Sequence, residues 1–134
     1  MFRAHPATKV VGGRTIREKA PPDFFGVLRG GTPILFDAKS HKGDRFPFGQ
    51  LKIHQAMALE AWQTAGGVAG IMLRLEPSRG DVRTFWVDWR KLGPPWWDWH
   101  EKRRHAQASV ALDWLAIMAA DLNGGTDWLE MARK

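Results

Sequence analysis

"PDFFGVLRGGTPILFDAK", residues 22–39, sets two apolar runs on either side of Arg29-Gly30-Gly31-Thr32. Glycine supplies the positive φ angles that a tight turn needs, so residues 24–28 and 33–39 are predicted to pair as a β-hairpin. The second run does not end as buried strands usually do. Ile34, Leu35 and Phe36 give way to Asp37-Ala38-Lys39, an acid and a base two positions apart. Side chains alternate across a strand, so Asp37 and Lys39 project from one face, and Phe36 and Ala38 from the other. The length of the turn decides what stands beside them. A two-residue Gly30-Gly31 turn sets Asp23 opposite Ala38, pointing away from Asp37. An odd loop, such as Arg29-Gly30-Gly31, sets Asp23 opposite Asp37 and on its face, because directly opposed residues share a face. The odd loop is the expectation.

The rest of the chain frames this hairpin. Upstream, Lys9-Val10-Val11 reads as a short strand. "GGRTIREKAPPD", residues 12–23, is Gly-rich, then basic, then doubly Pro, and reads as an exposed basic arm over about residues 12–20. Downstream, residues 40–49 read as a loop. From Gln50 the period turns helical: Leu51, Gln55, Ala58, Leu59 and Trp62 share one face, and Gly66-Gly67 ends the helix. Residues 68–75 and 84–89 are expected strands around the turn "EPSRGD". "KLGPPWWDWHEKRRH" breaks the pattern with a Pro pair. Residues 106–122 then read as a helix with Val110, Trp114, Ile117 and Met118 as its apolar stripe. Asn123-Gly124-Gly125 stops it, and a short helix around Trp128 and Leu129 follows. This order predicts one α/β domain over residues 1–134, with a mixed central sheet flanked by helices.

Composition sets the limits. A chain of 134 residues can bury a core without staples, and 44% hydrophobic with 25% charged residues is ordinary for a soluble globular protein. Cysteine is absent, which excludes disulfides and thiolate metal sites. No apolar run approaches the ~20 residues of a membrane span, and the N-terminus lacks the apolar segment of a secretory signal. A cytoplasmic protein without membrane contact is the expectation. Twenty Lys and Arg against fourteen Asp and Glu give a formal charge of +6. Such a surface attracts polyanions, nucleic acid first among them, although modest positive charge also simply aids solubility.

Two adjacent carboxylates repel unless they share a cation. Mg²⁺ takes one or two carboxylates together with waters and phosphate oxygens. A lysine beside them can orient a water or stabilise charge developing on a phosphate. Asp23, Asp37 and Lys39 are therefore the minimal set for metal-dependent phosphodiester hydrolysis. Gln55 occupies the apolar helical stripe where Leu or Ala is expected, and a buried amide needs partners. It binds core backbone or, if the stripe faces the carboxylates, a metal-bound water. Singly, these features admit plainer readings: a surface ion pair, a satisfied core amide. In this order they weigh against chance.

Pro22-Asp23 followed by Asp37-Ala38-Lys39 at hairpin spacing resembles the PD-(D/E)xK nuclease signature. Residues 22–75 are more specifically similar to the core of the RecU-type Holliday junction resolvases. The matching features are Asp23 with Gly26, Asp37-Ala38-Lys39, Phe46-Pro47, His54-Gln55, and Gly66-Gly67 with Ala69. The resemblance implies a restriction-endonuclease-like fold. It also implies a homodimeric, Mg²⁺-dependent endonuclease, with Mn²⁺ able to substitute, that nicks four-way DNA junctions symmetrically in recombination and repair. Asp23, Asp37 and the Ala38 backbone carbonyl would bind metal, and Asp23, Asp37, Lys39 and Gln55 would be the catalytic residues. The basic arm would match the family's stalk in shorter form. The family has Glu where this chain has Asp37. It also opens with a helix bearing a further Glu, whereas this chain starts with Met1-Phe2-Arg3, read as part of the first strand.

Arg14, Arg17 and Lys19 on the arm, and His41, Lys42 and Arg45 after the hairpin, are expected to contact DNA phosphates; the alternative is plain solvated loops. The five histidines show no zinc spacing. Trp96, Trp97 and Trp99 are expected to cap the core or pack a dimer interface rather than stack on unpaired bases. Lys102, Arg103 and Arg104 are further candidates for phosphate contacts. Two other functions fit the same residues: a general DNA endonuclease, and a DNA-binding module whose nuclease site is incomplete.

Overall fold

The computed structural model describes residues 24–122 and, as strands, residues 2–3, 8–11 and 14–17. In chain order the elements are β1 (Phe2–Arg3), β2 (Thr8–Val11), β3 (Arg14–Arg17), β4 (Phe24–Val27), β5 (Pro33–Lys42), β6 (Arg45–Pro47), α1 (Ile53–Thr64), β7 (Val68–Ser78), β8 (Asp81–Asp88), α2 (Trp89–His100), β9 (Ser109–Ala111), α3 (Leu112–Met118) and β10 (Ala120–Asp121). Six strands form the central sheet in the order β1-β4-β5-β7-β8-β10. The β5–β7 pair is parallel and the others are antiparallel, which is the mixed α/β arrangement expected. Among the described residues no helix is long and apolar enough to cross a membrane.

The hairpin at the centre has the odd loop. Its register runs from Val27 opposite Pro33 to Phe24 opposite Phe36. The Leu28 N–H donates to the Thr32 carbonyl at 2.7 Å, which leaves Arg29-Gly30-Gly31 as the loop. Gly30 and Gly31 both have positive φ (96° and 93°), the conformation a side chain would strain.

Alternation along the strands divides the core in two. One face of the sheet presents Leu35, Ile71, Leu73, Leu75, Phe85 and Val87 to the helices, where Ala56, Leu59, Trp89, Leu92 and Trp96 complete the cluster. The other face carries Ile34, Phe36 and Trp86, with Phe24 stacked on Phe36 at 5.0 Å. Strand β7 needs a glycine where it crosses β8: a Cβ on Gly70 would overlap the Val87 carbonyl and the Trp86 ring. Gly70→Ala is accordingly expected to cost about 2 kcal/mol, read as a lowered urea midpoint at unchanged m.

Several elements differ from the sequence reading, each for a physical reason. The arm contains a strand: β2 and β3 pair as a separate two-stranded sheet, with Gly12-Gly13 between them in sequence. Residues 40–49 are not a plain loop. Strand β5 continues through Lys42 because β7 keeps offering a parallel edge, with His41 opposite Leu75. Strand β6 then pairs with β9, Phe46 opposite Val110, and both side chains are buried. That pairing takes 109–111 out of the expected helix, leaving only α3. Ile117, placed on the apolar stripe by periodicity, is 82% exposed, and Leu115 is buried instead. Helix α1 begins three residues late, after a 3₁₀ turn at Phe48–Gln50.

The Pro pair does not break the chain's helical course. Pro94 and Pro95 lie inside α2, where they cannot donate to the carbonyls of Arg90 and Lys91. The helix persists because Trp89, Leu92, Gly93 and Trp96 bury one face at helical spacing. Asp88 caps it, accepting from the Arg90 N–H at 2.9 Å. The expected stop at 123–125 and the terminal helix around Trp128 and Leu129 lie outside the described residues.

Candidate active site

On β5, Leu35, Asp37, Lys39 and His41 share the face over which α1 folds. Leu35 goes into the core beneath the helices; two positions on, Asp37 follows it inward and is only 1% exposed. A carboxylate so deeply desolvated needs compensation, and the chain supplies it at once. Lys39 Nζ stands 2.8 Å from Asp37 Oδ2. Gln55 Nε2 donates to the same oxygen at 3.2 Å, and Gln55 Oε1 accepts from Lys39 Nζ at 3.2 Å. Acid, base and amide close a triangle.

Gln55 can do this because of where α1 starts. It is the third residue of the helix, and its Oε1 also accepts the N–H of the capping residue Lys52 at 3.0 Å. The amide is thus held from two sides, its oxygen by Lys52 and Lys39 and its nitrogen by Asp37. The stripe faces the acid, and Gln55 bonds the carboxylate directly. Lys39 is the open corner, with 17% of its side chain exposed against 2% for Asp37. A ligand that reaches this site meets the ammonium group first.

The other expected site residues fall into three groups. His41 is in line with Asp37 and Lys39 on the same strand face, and its Nδ1 lies 2.6 Å from Gln50 Nε2. Lys42 and Arg45 are not brought to the triangle. Lys42 ends β5 on the opposite parity, and Arg45 Nη1 donates to Ser109 Oγ at 3.2 Å on the β6–β9 ribbon. Asp23 and Lys19 lie outside the described residues, as do the side chains of Arg14 and Arg17 on β3. Among the described residues no three His, Cys, Asp or Glu side chains stand together as a metal cluster. Gln50 is the residue that sequence reasoning misses: periodicity starts a helix there, whereas it closes the 3₁₀ turn beside His41.

The tryptophans are structural where the structure describes them. Trp96 is 1% exposed and donates its Nε1–H to the Phe48 carbonyl at 3.0 Å. Trp97 and Trp99 pack against it, and Trp97 Nε1 donates to Glu60 Oε1 at 2.9 Å. In the basic run after them, Arg103 is engaged by Glu101 at 2.7 Å and faces Asp98 at 3.6 Å.

Comparison with known proteins adds one finding. A family model described as recombination protein U (RecU) matches residues 4–130, nearly the whole chain. No curated protein matches the chain.

Proposed function

Because the chain belongs to the recombination protein U (RecU) family, we propose that it is an endonuclease that resolves four-way DNA junctions by hydrolysing phosphodiester bonds. The observation that carries the reading is the buried Asp37 carboxylate gripped by Lys39 at 2.8 Å and by Gln55 at 3.2 Å. A core strand gains nothing in stability from such a cluster that apolar residues would not supply. At a catalytic site it provides fixed charge and a donor at the solvent edge.

The donor chemistry fits a hard divalent cation. Oxygen ligands are what this corner offers, and the chain has no cysteine. Asp37, the Ala38 carbonyl and Asp23 would hold Mg²⁺, or Mn²⁺ in its place. The odd loop expected from the sequence supports Asp23 in this role, and the register it sets runs to Phe24 opposite Phe36. Bound there, the cation would lower the pKa of a water and offset charge on the phosphate. Lys39 places its ammonium at the exposed corner to hold a phosphate oxygen. Gln55 keeps Lys39 and Asp37 in register so that neither swings free. His41, Lys42, Arg45 and the basic residues Arg14, Arg17 and Lys19 add sequence-independent phosphate contacts.

A four-way junction has two-fold symmetry, and a C2 homodimer presents two such sites to two opposed strands. Exposed apolar side chains at Val27 on β4 and Met57 on α1 (71% and 59% exposed) are suited to burial in that dimer. The test is direct: incubate the protein with a synthetic four-way junction and with a linear duplex in Mg²⁺. Paired symmetric nicks in the junction, with the duplex at least about 100-fold slower, are the expected result. Equal cutting of both substrates makes it a general endonuclease. Binding without cutting makes it a binding module.

A further inference from the structure

The face that carries Asp37 and Lys39 continues to His41, and the chain has built a support for that ring. Same-face side chains on a strand repeat every two residues, roughly 6.6 Å apart. That step is of the same order as the separation of neighbouring phosphates along a nucleic-acid strand. Gln50 Nε2 lies 2.6 Å from His41 Nδ1 and donates to it. A neutral imidazole that accepts at Nδ1 holds its proton on Nε2. Among the described residues that Nε2–H has no partner. Its edge is also left uncovered by Gly43, where a Cβ would come to 3.6 Å from Nε2 and 3.5 Å from Cδ2.

The geometry points to a second phosphate subsite. His41 Nε2–H donates to a non-bridging oxygen of the phosphate adjoining the one that is cut, and Gln50 is the positioning residue that fixes the tautomer. The subsite rests on the nuclease reading of Asp37 and Lys39, and deepens it. With one phosphate at Lys39 and its neighbour at His41, the strand has a single register in which a phosphodiester meets Asp37.

Methylphosphonates, which replace an anionic oxygen by methyl, locate the contact. Each phosphate flanking the cut is replaced in turn, in the junction or in whichever substrate is cut, and single-turnover cleavage is measured. One flanking replacement should slow the wild type about 10-fold, the worth of a hydrogen bond to a charged group. His41→Ala should be slowed as much on ordinary DNA and no further by that replacement, while replacements elsewhere slow both proteins alike. His41→Gln, which keeps an N–H donor at similar reach, should recover most of the loss. Gln50→Ala should lose about threefold, and its His41 ring ¹⁵N shifts should move from the Nε2–H tautomer toward a mixture. Effects of His41→Ala and methylphosphonate that multiply at every position would overturn the subsite, as would unchanged ring shifts in Gln50→Ala. Undiminished cutting by Asp37→Asn would instead bring down the reading of Asp37 and Lys39 as the cutting site.

Discussion

Asp37→Asn is expected to leave a four-way junction bound within about threefold of wild type and to cut it at least about 10³-fold more slowly, as measured by single-turnover cleavage in Mg²⁺. The substitution keeps the shape of the side chain and a hydrogen-bonding oxygen for Lys39, and removes the charge. If the carboxylate served only to hold Lys39 in the fold, cutting would survive. Lys39→Met gives the complementary result. It removes the ammonium at the open corner and leaves Asp37, 1% exposed, with its 2.8 Å cation gone. Breaking a buried pair in this way costs about 3 kcal/mol, at the low end because Lys39 is partly solvated. In the Asp37→Asn background the same Lys39→Met should cost under about 1 kcal/mol, since no buried carboxylate is then deprived of its cation. Urea unfolding of the four proteins gives the cycle. An equal cost of Lys39→Met in both backgrounds would show that the pair is not what binds Lys39 to the site.

Much of this site is legible in the sequence, and what is not has specific causes. The odd loop followed from Arg29-Gly30-Gly31 between two apolar runs, because glycine there serves a local need that tertiary structure did not override. The shared face of Asp37 and Lys39 followed from strand parity alone. Gln55 stood out because it broke an apolar stripe, and its contact with Asp37 is the reason for the break. Gln50 was invisible because its role depends on a 3₁₀ turn that delays α1, and boundaries are the least local part of a helix signal. The β6–β9 pairing joins residues as far apart as Arg45 and Ala111. Three-residue strands carry almost no pattern of their own, so a helical period through Val110 and Trp114 looked as good. In α2, propensity was outweighed by packing: two prolines argue against helix, and two buried tryptophans decide for it.

Those tryptophans set the other large effect. Trp96→Ala is expected to destabilise the protein by about 4 kcal/mol, or roughly 15 °C in Tm, a large share of the 5–15 kcal/mol that a domain of this size possesses. The ring is 1% exposed, packs on Trp89, Trp97 and Trp99, and ties α2 to the 3₁₀ turn through the Phe48 carbonyl. Truncation opens a cavity and takes one of that carbonyl's two donors, leaving it the Leu51 N–H at 3.1 Å. Trp96→Phe separates the two terms: it keeps most of the volume and loses the N–H, so about 1–2 kcal/mol should go. Trp97→Ala, half-buried and bonded to Glu60, should fall between Trp96→Phe and Trp96→Ala. A stacking platform for unpaired bases would behave in the opposite way, with junction affinity falling and the thermal midpoint holding. Because the 3₁₀ turn that Trp96 anchors also ends in Gln50, Trp96→Phe should loosen His41 before it unfolds anything. The His41 ring shifts should therefore move in that variant at temperatures well below its midpoint, whereas a tryptophan cluster isolated from the site would leave them fixed.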